Sequence, residues 1–221
     1  MIGDFCRDKL AEAPSLFRFK HHYILNALDG EILLGLMEAI DEKRETTLTL
    51  GKRRIAVAPV KLYISAQTGR QYALAWVPEG ERFQFFRLDA VDDVKPGRTI
   101  ALPEDLQDRL RAFMQGVWGV ACGDGRQLYH LEMTVWAGED EPHIARRLER
   151  EKRCGRVEQL DGHRLRYTAE VFDPLEMLPW IRTFIGRILE LRCDDPRVTE
   201  RFERDMRTLA GMYGGDEDAV S

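Results

Sequence analysis

The sequence predicts an α+β protein: a small SH3- or Sm-like β-barrel followed by a ferredoxin-like βαββαβ module. Three observations carry that prediction. Short runs rich in β-branched and aromatic residues crowd into residues 46–100, separated by turn signals. Strand and helix patterns then alternate over residues 127–215, in the order strand, helix, strand, strand, helix, strand, with an extra helix at the end. Between these stretches, residues 101–126 hold one short helical pattern and a glycine-rich run that suits a linker.

Residues 1–45 read as an N-terminal segment and a helix packed on the barrel. Phe17, Phe19, Tyr23 and Ile24 are apolar anchors, interrupted by the basic cluster Arg18, Lys20, His21 and His22. The adjacent histidines have no further ligand at metal spacing, so no metal site is expected there. After Asp29, a good N-cap, the residues Leu28, Ile32, Leu36 and Ile40 recur every four positions, and Leu33 and Met37 widen the stripe. Thr46–Leu50 and Arg54–Ala58 read as strands joined by a turn at Gly51-Lys52-Arg53. Residues 59–89 add three more, divided by Ala66-Gln67-Thr68-Gly69 and by Pro78-Glu79-Gly80. Five antiparallel strands suit a closed SH3-like barrel, in which closure removes exposed edges. Val91 and Val94 end the unit, and Lys95-Pro96-Gly97-Arg98 reads as a loop.

Further along, Pro103–Gln115 suits a helix with Leu106, Leu110 and Phe113 on one side. The glycines of 116–125 lack the strand–loop–helix order and the Lys-Ser/Thr of a phosphate loop, so a linker is expected. Gln127–Trp136 alternates as a strand, and Pro142–Lys152 is a helix with proline near its start. Arg156–Leu160 and His163–Phe172 flank Asp161-Gly162, a hairpin signal. Pro174–Ile185 follows the Asp173 cap as a helix in which Pro179 predicts a kink. Arg187–Arg192 is a strand. Pro196–Met212 is a final helix, capped by Asp194-Asp195, with Phe202, Met206 and Leu209 inward.

Composition narrows the function. The 221 residues are 44% hydrophobic and 32% charged, as in ordinary globular proteins. No apolar run is long enough to span a bilayer, and the charged N-terminus lacks a signal core, so a cytoplasmic protein with no membrane partner is expected. The four cysteines are isolated, which fits reduced thiols. A net charge of −5 argues against wholesale polyanion binding, yet residues 51–98 carry nine Lys/Arg against five Asp/Glu. Such a local excess suits a discrete anionic ligand. No nucleophile elbow, zinc-protease, Walker or dinucleotide fingerprint occurs, so neither an enzyme nor a cofactor is expected.

The candidate site lies in residues 59–89. Period-two alternation puts Tyr63 and Ser65 on one side of their strand. It puts Gln71 with Ala73 and Ala75, opposite Tyr72, Leu74 and Trp76. In the next strand Arg87 continues a row begun by Phe83 and Phe85, and Arg70 stands at the mouth of the neighbouring hairpin. One reading is an anion pocket: Arg70 and Arg87 offer planar forks to phosphate, Tyr63 and Tyr72 stack on a base, Ser65 bonds a phosphate oxygen, and Gln71 reads a base edge. In the other, Arg87 pairs with Asp89 or Asp92 and the tyrosines fill the barrel. Spacing leaves both open.

The order Pro59, Tyr63-Ile64-Ser65, Gly69-Arg70-Gln71-Tyr72-Ala73, then Phe86-Arg87-Leu88-Asp89 resembles the WYL domain, an SH3/Sm-like barrel of bacterial transcription regulators. The Trp-Tyr-Leu triplet that names the family reads Gln71-Tyr72-Ala73 here, and its later Arg-Leu-Asp-Arg-Ile element reads Arg87-Leu88-Asp89-Ala90-Val91. The C-terminal module is similar to the WCX extension of such regulators, so the likeness spans about residues 20–213. It implies a homodimeric ligand sensor acting in transcription regulation, with a nucleotide or single-stranded nucleic acid bound by Tyr63, Ser65, Arg70, Gln71, Tyr72 and Arg87. Family barrels commonly follow a helix-turn-helix. About 25 residues precede the Asp29 helix, too few for a winged domain, so a DNA-binding module is expected on a longer chain or a partner. The alternative is an assembly module whose SH3-like barrel binds a polypeptide.

Overall fold

The computed structural model describes residues 30–65 and 69–214. The chain divides into two compact units, residues 1–104 and 105–221. The Asp29 cap, the basic cluster and histidine pair at 18–22, and the turn residues 66–68 lie outside the described residues.

In the first unit, helix α1 (Glu31–Asp41) buries Leu33, Leu36 and Ala39; of the expected four-residue recurrence Leu36 is fully buried, while Ile32 and Ile40 are half-buried at its sides. It packs on a five-stranded antiparallel sheet: β1 (Arg44–Leu50), β2 (Arg53–Ile64), β3 (Gln71–Val77), β4 (Arg82–Arg87) and β5 (Asp93–Thr99). The strand order is β4-β3-β2-β1-β5. Two expectations are corrected here. The runs expected as separate second and third strands are one 12-residue strand, β2, whose register shifts between Pro59 and Lys61. Proline lacks the N–H a regular ladder needs, and a bulge accommodates it. The fifth strand is Asp93–Thr99, which contains the Lys95-Pro96-Gly97-Arg98 stretch expected as a loop. Among the described residues β5 pairs only with β1, and an edge strand tolerates a missing donor. Gly97 is needed there because a Cβ would sit 2.8 Å from the Glu45 carbonyl oxygen. The core joins Leu36 to Leu48, Val57, Ala73, Ala75 and Phe86.

The second unit begins with α2 (Leu106–Gln115). There follow β6 (Tyr129–Trp136), α3 (Pro142–Glu151), β7 (Arg156–Gln159) and β8 (Arg164–Val171). A broken helical stretch then runs as a 3-10 turn (Pro174–Met177), the short helix α4 (Leu178–Ile181) and a second 3-10 turn (Arg182–Phe184). Strand β9 (Ile188–Cys193) and helix α5 (Pro196–Tyr213) complete the unit. All pairings in the sheet are antiparallel, in the order β7-β8-β6-β9. The break in the helical stretch comes where Pro179 stands in the first turn of α4, a position that forgives its missing N–H. Asp161 forms the hairpin turn by accepting the N–H groups of His163 and Arg164, at 2.9 and 2.8 Å. Asp195 caps α5 through the Arg197 N–H at 3.0 Å. Leu209, expected inward, is exposed: α5 buries Val198 and half-buries Phe202 and Met206 in its first three turns.

The segment expected as a glycine-rich linker belongs to this core. Trp118 packs with Leu131, Tyr167 and Phe184, its ring centroid 4.9 Å from that of Trp180. The Val120 N–H points at the Glu176 carboxylate, at 3.0 and 3.2 Å from its two oxygens. A Cβ at Gly119 would collide with that carboxylate. These glycines therefore let backbone amides close around an internal anion. Burial nevertheless raises the Glu176 pKa, outweighing the lowering by the amides.

One ion pair on this unit gives a pH prediction. Arg187 donates from both Nη atoms to Glu141, at 2.5 and 2.6 Å. That bond first, and the Gly138 N–H second, lower the Glu141 pKa from 4.5 to about 2. Because the folded value lies below the unfolded one, the stabilisation is present above pH 4.5 and is lost as pH falls toward about 2. A carboxyl NMR titration should put the Glu141 midpoint near 2, and Arg187→Gln should move it upward. An unmoved midpoint would refute the assignment of cause.

Candidate functional site

Ladder geometry assembles the predicted site residues. Tyr63 pairs with Tyr72, and Tyr72 with Arg87, so the three lie abreast on adjacent strands β2, β3 and β4. Residues directly opposite in a ladder share a face. One rung beyond the Ile64–Gln71 pair, Ser65 donates its N–H to the Arg70 carbonyl at 2.8 Å, and Gly69 donates to the Ser65 carbonyl at 2.7 Å. Alternation brings Ser65 and Arg70 to the same face as Tyr63 and Tyr72, about 7 Å further along the strands. In the other direction the row continues through Lys61, Leu74 and Phe85.

The result is a graded strip. Leu74, Trp76 and Phe83 are buried at one end, and Arg70 and Arg87 are exposed at the other. Tyr63 and Tyr72 are half-buried between them. The Tyr63 ring meets Phe85 edge-on at 5.5 Å, and the Lys61 ammonium lies 5.9 Å from its centroid. Such contacts fix the ring plane. Burial raises the Tyr63 pKa, which keeps that hydroxyl neutral and able to donate.

Gln71 lies elsewhere. It shares the face of Ala73 and Ala75, opposite Tyr72, as the alternation predicts, so it is not beside the tyrosine–arginine row. Its Nε2 is buried with no hydrogen-bond partner among the described residues. Of the two carboxylates considered for Arg87, Asp89 is the one engaged: Arg87 Nε donates to its Oδ1. Asp92 instead accepts the Gly51 N–H at 2.5 Å. The Arg87–Asp89 pair is exposed on both sides, where such pairs are worth about 0–1 kcal/mol, so a phosphate could displace the carboxylate at little cost.

The described residues bring no three His, Cys, Asp or Glu side chains together as a metal site. None of the described helices is long and apolar enough to cross a membrane.

Fold and site thus define a two-unit α+β protein with two antiparallel sheets, the first presenting a basic and aromatic strand face. No family model matches the chain, and no curated protein does. Among solved structures, one titled a CRISPR Cas-related protein aligns over 83% of this chain and 52% of its own length, at 11% identity and a TM-score of 0.57. That similarity is one of fold. Proteasome accessory factor B/C of Arthrobacter aurescens aligns over 91% of this chain and 29% of its own, at 15% identity and a TM-score of 0.42. The chain therefore spans about half of the one and under a third of the other.

Proposed function

We propose that the protein is a ligand-sensing regulator of the WYL kind. In this reading the first unit is an SH3/Sm-like WYL barrel and the second a ferredoxin-like WCX module. The ligand is an anionic nucleotide or single-stranded nucleic acid, bound on the strand face without catalysis. One observation carries the reading: Tyr63, Tyr72 and Arg87 stand abreast on three strands, with Ser65 and Arg70 one rung pair away. Aromatic rings beside forked guanidinium groups suit a base and its phosphate, whatever the sequence of the strand. The CRISPR Cas-related title of one fold neighbour is compatible with a nucleic-acid setting. Dimer formation would use the exposed end of α5, where Met212 and Tyr213 are 72% and 81% exposed.

Fluorescence anisotropy with labelled single-stranded DNA and RNA at two salt concentrations tests this, with folding checked by circular dichroism. Wild type should bind in a salt-sensitive manner. Arg70→Ala and Arg87→Ala should each weaken binding about tenfold or more, since a charge-assisted hydrogen bond is worth roughly 1.5–3 kcal/mol. The salt slope should shrink by about 0.7 per phosphate contact removed. Absence of binding at low salt by a folded wild type would end the oligonucleotide reading.

A second reading, an assembly module that binds a polypeptide, has one observation in its favour. A groove of about 500 Å3 runs between α1 and β2, lined by Met37, Ile40, Val60 and Leu62. Binding there would be mainly apolar and would depend little on salt.

A further inference from the structure

The second unit holds a cavity of about 600 Å3, independent of the strand face just described. Residues from α2 (Arg111), from β6 and β8 (His130, Thr168 and Glu170), and from the segment entering β7 (Arg153 and Arg156) line it. Its volume falls within the roughly 300–1,000 Å3 of small-molecule sites. Its charge is distinctive. Arg153 donates to the Trp118 carbonyl at 3.2 Å, with its guanidinium 5.6 Å from the Trp118 ring. Arg156 donates from Nε to the Thr168 hydroxyl at 3.1 Å. Both are thus held by neutral acceptors, and among the described residues neither has a carboxylate partner. The outer nitrogens of Arg156 have no protein partner among those residues either.

The remaining charges do not cancel this excess. Glu170 is the cavity's carboxylate, and it lies 2.6 Å from His130 Nδ1. Arg111 is paired outward with Asp108 at 3.1 Å. Cys154 stays a neutral thiol, because burial raises its pKa. Gly155 lets the arginine-bearing segment lie flat on β8: its φ is +75°, and a Cβ there would overlap the Thr168 carbonyl oxygen. Two guanidinium groups, three residues apart and held by neutral acceptors, therefore line one cavity in which Glu170 is the single carboxylate among the described residues, leaving an excess of positive charge.

We propose that this cavity is a second anion site, taking the phosphate of a nucleotide through Arg153 and Arg156. Planar forked donors match phosphate oxygens, and neutral acceptors hold the forks in place without quenching their charge. Among the described residues no Phe, Tyr or Trp lines the cavity, and the His130 imidazole is engaged with Glu170, so the phosphate rather than the base carries recognition. The phosphate could belong to a free nucleotide or to the end of an oligonucleotide.

Isothermal titration with inorganic pyrophosphate, ADP and a 5′-phosphorylated dithymidylate tests the proposal on the full chain. Arg153→Gln and Arg156→Gln are compared with wild type, Arg201→Gln serves as a charge-matched control on α5, and circular dichroism reports folding. Arg156→Gln removes one weak contact to a hydroxyl and leaves a readable variant if Arg153→Gln unfolds. We expect at least one probe to bind wild type and the control equally, and about tenfold or more weakening in the folded site variants. Pyrophosphate or ADP binding would assign a free nucleotide, and dithymidylate binding alone a strand end. No binding by folded wild type, or binding indifferent to Arg156→Gln, would overturn the proposal. So would binding lost in Arg87→Ala instead, because that places the anion in the first unit. Loss of oligonucleotide binding to the strand face would leave this result untouched.

Discussion

Leu36→Ala is expected to destabilise the first unit by about 2–5 kcal/mol, the usual cost of emptying a fully buried leucine site. Leu36 is 0% exposed and is the central residue of the α1 stripe. Its helix packs against β1, β2 and β5. The facing residues Leu48 and Val57 belong to strands fixed by their ladders, so they have little freedom to collapse into the void. The strand carrying Tyr63 is β2, so loosening its support should also weaken ligand binding on the strand face. Hydrogen exchange resolved by segment would read the effect as lost protection in β1 and β2, with the second unit unchanged. Retained protection there would mean that the sheet holds its shape without α1.

Gly155→Ala should strike the second unit. At φ +75° an L-residue costs about 1–2 kcal/mol in backbone conformation alone. The new methyl would also overlap the Thr168 carbonyl and lie 2.9 Å from both Ala169 Cβ and Tyr167 Oη, adding roughly 1–3 kcal/mol of over-packing. The atoms in its way are poor at yielding. Thr168 is in the β6–β8 and β7–β8 ladders, and Tyr167 is 0% exposed with its hydroxyl donating to the Cys154 carbonyl at 3.0 Å. The segment from Arg153 to Arg156 should lift away, so pyrophosphate binding should fall even where the variant remains folded. A crystal structure or exchange profile of Gly155→Ala identical to wild type would disprove this account of the glycine.

Much of the candidate site could be read from the sequence because strand alternation is a local rule. A period of two is imposed by the pleat itself, so Tyr63 and Ser65, Tyr72 and Arg70, and Arg87 with Phe85 fall on their faces before any partner strand is known. The same rule placed Gln71 with Ala73 and Ala75, away from Tyr72. What alternation could not supply was the register that sets Tyr63, Tyr72 and Arg87 level with one another. Nor could it choose Asp89 over Asp92 as the partner of Arg87, since both are near in sequence and the choice follows from the turn after β4.

The sequence alone determined the α+β class, the α1 stripe, the Asp161-Gly162 hairpin and the Asp195 cap, because each is encoded within a few consecutive residues. Only the tertiary structure decided that Asp93–Thr99 is a strand, since Pro96 and Gly97 signal a loop unless an edge position forgives them. It alone drew Trp118 out of an apparent linker into a core. The arginine-lined cavity is the clearest case: Arg111, His130, Arg153, Arg156 and Thr168 meet because separate elements pack, and no local pattern in the chain records which distant segments will be neighbours.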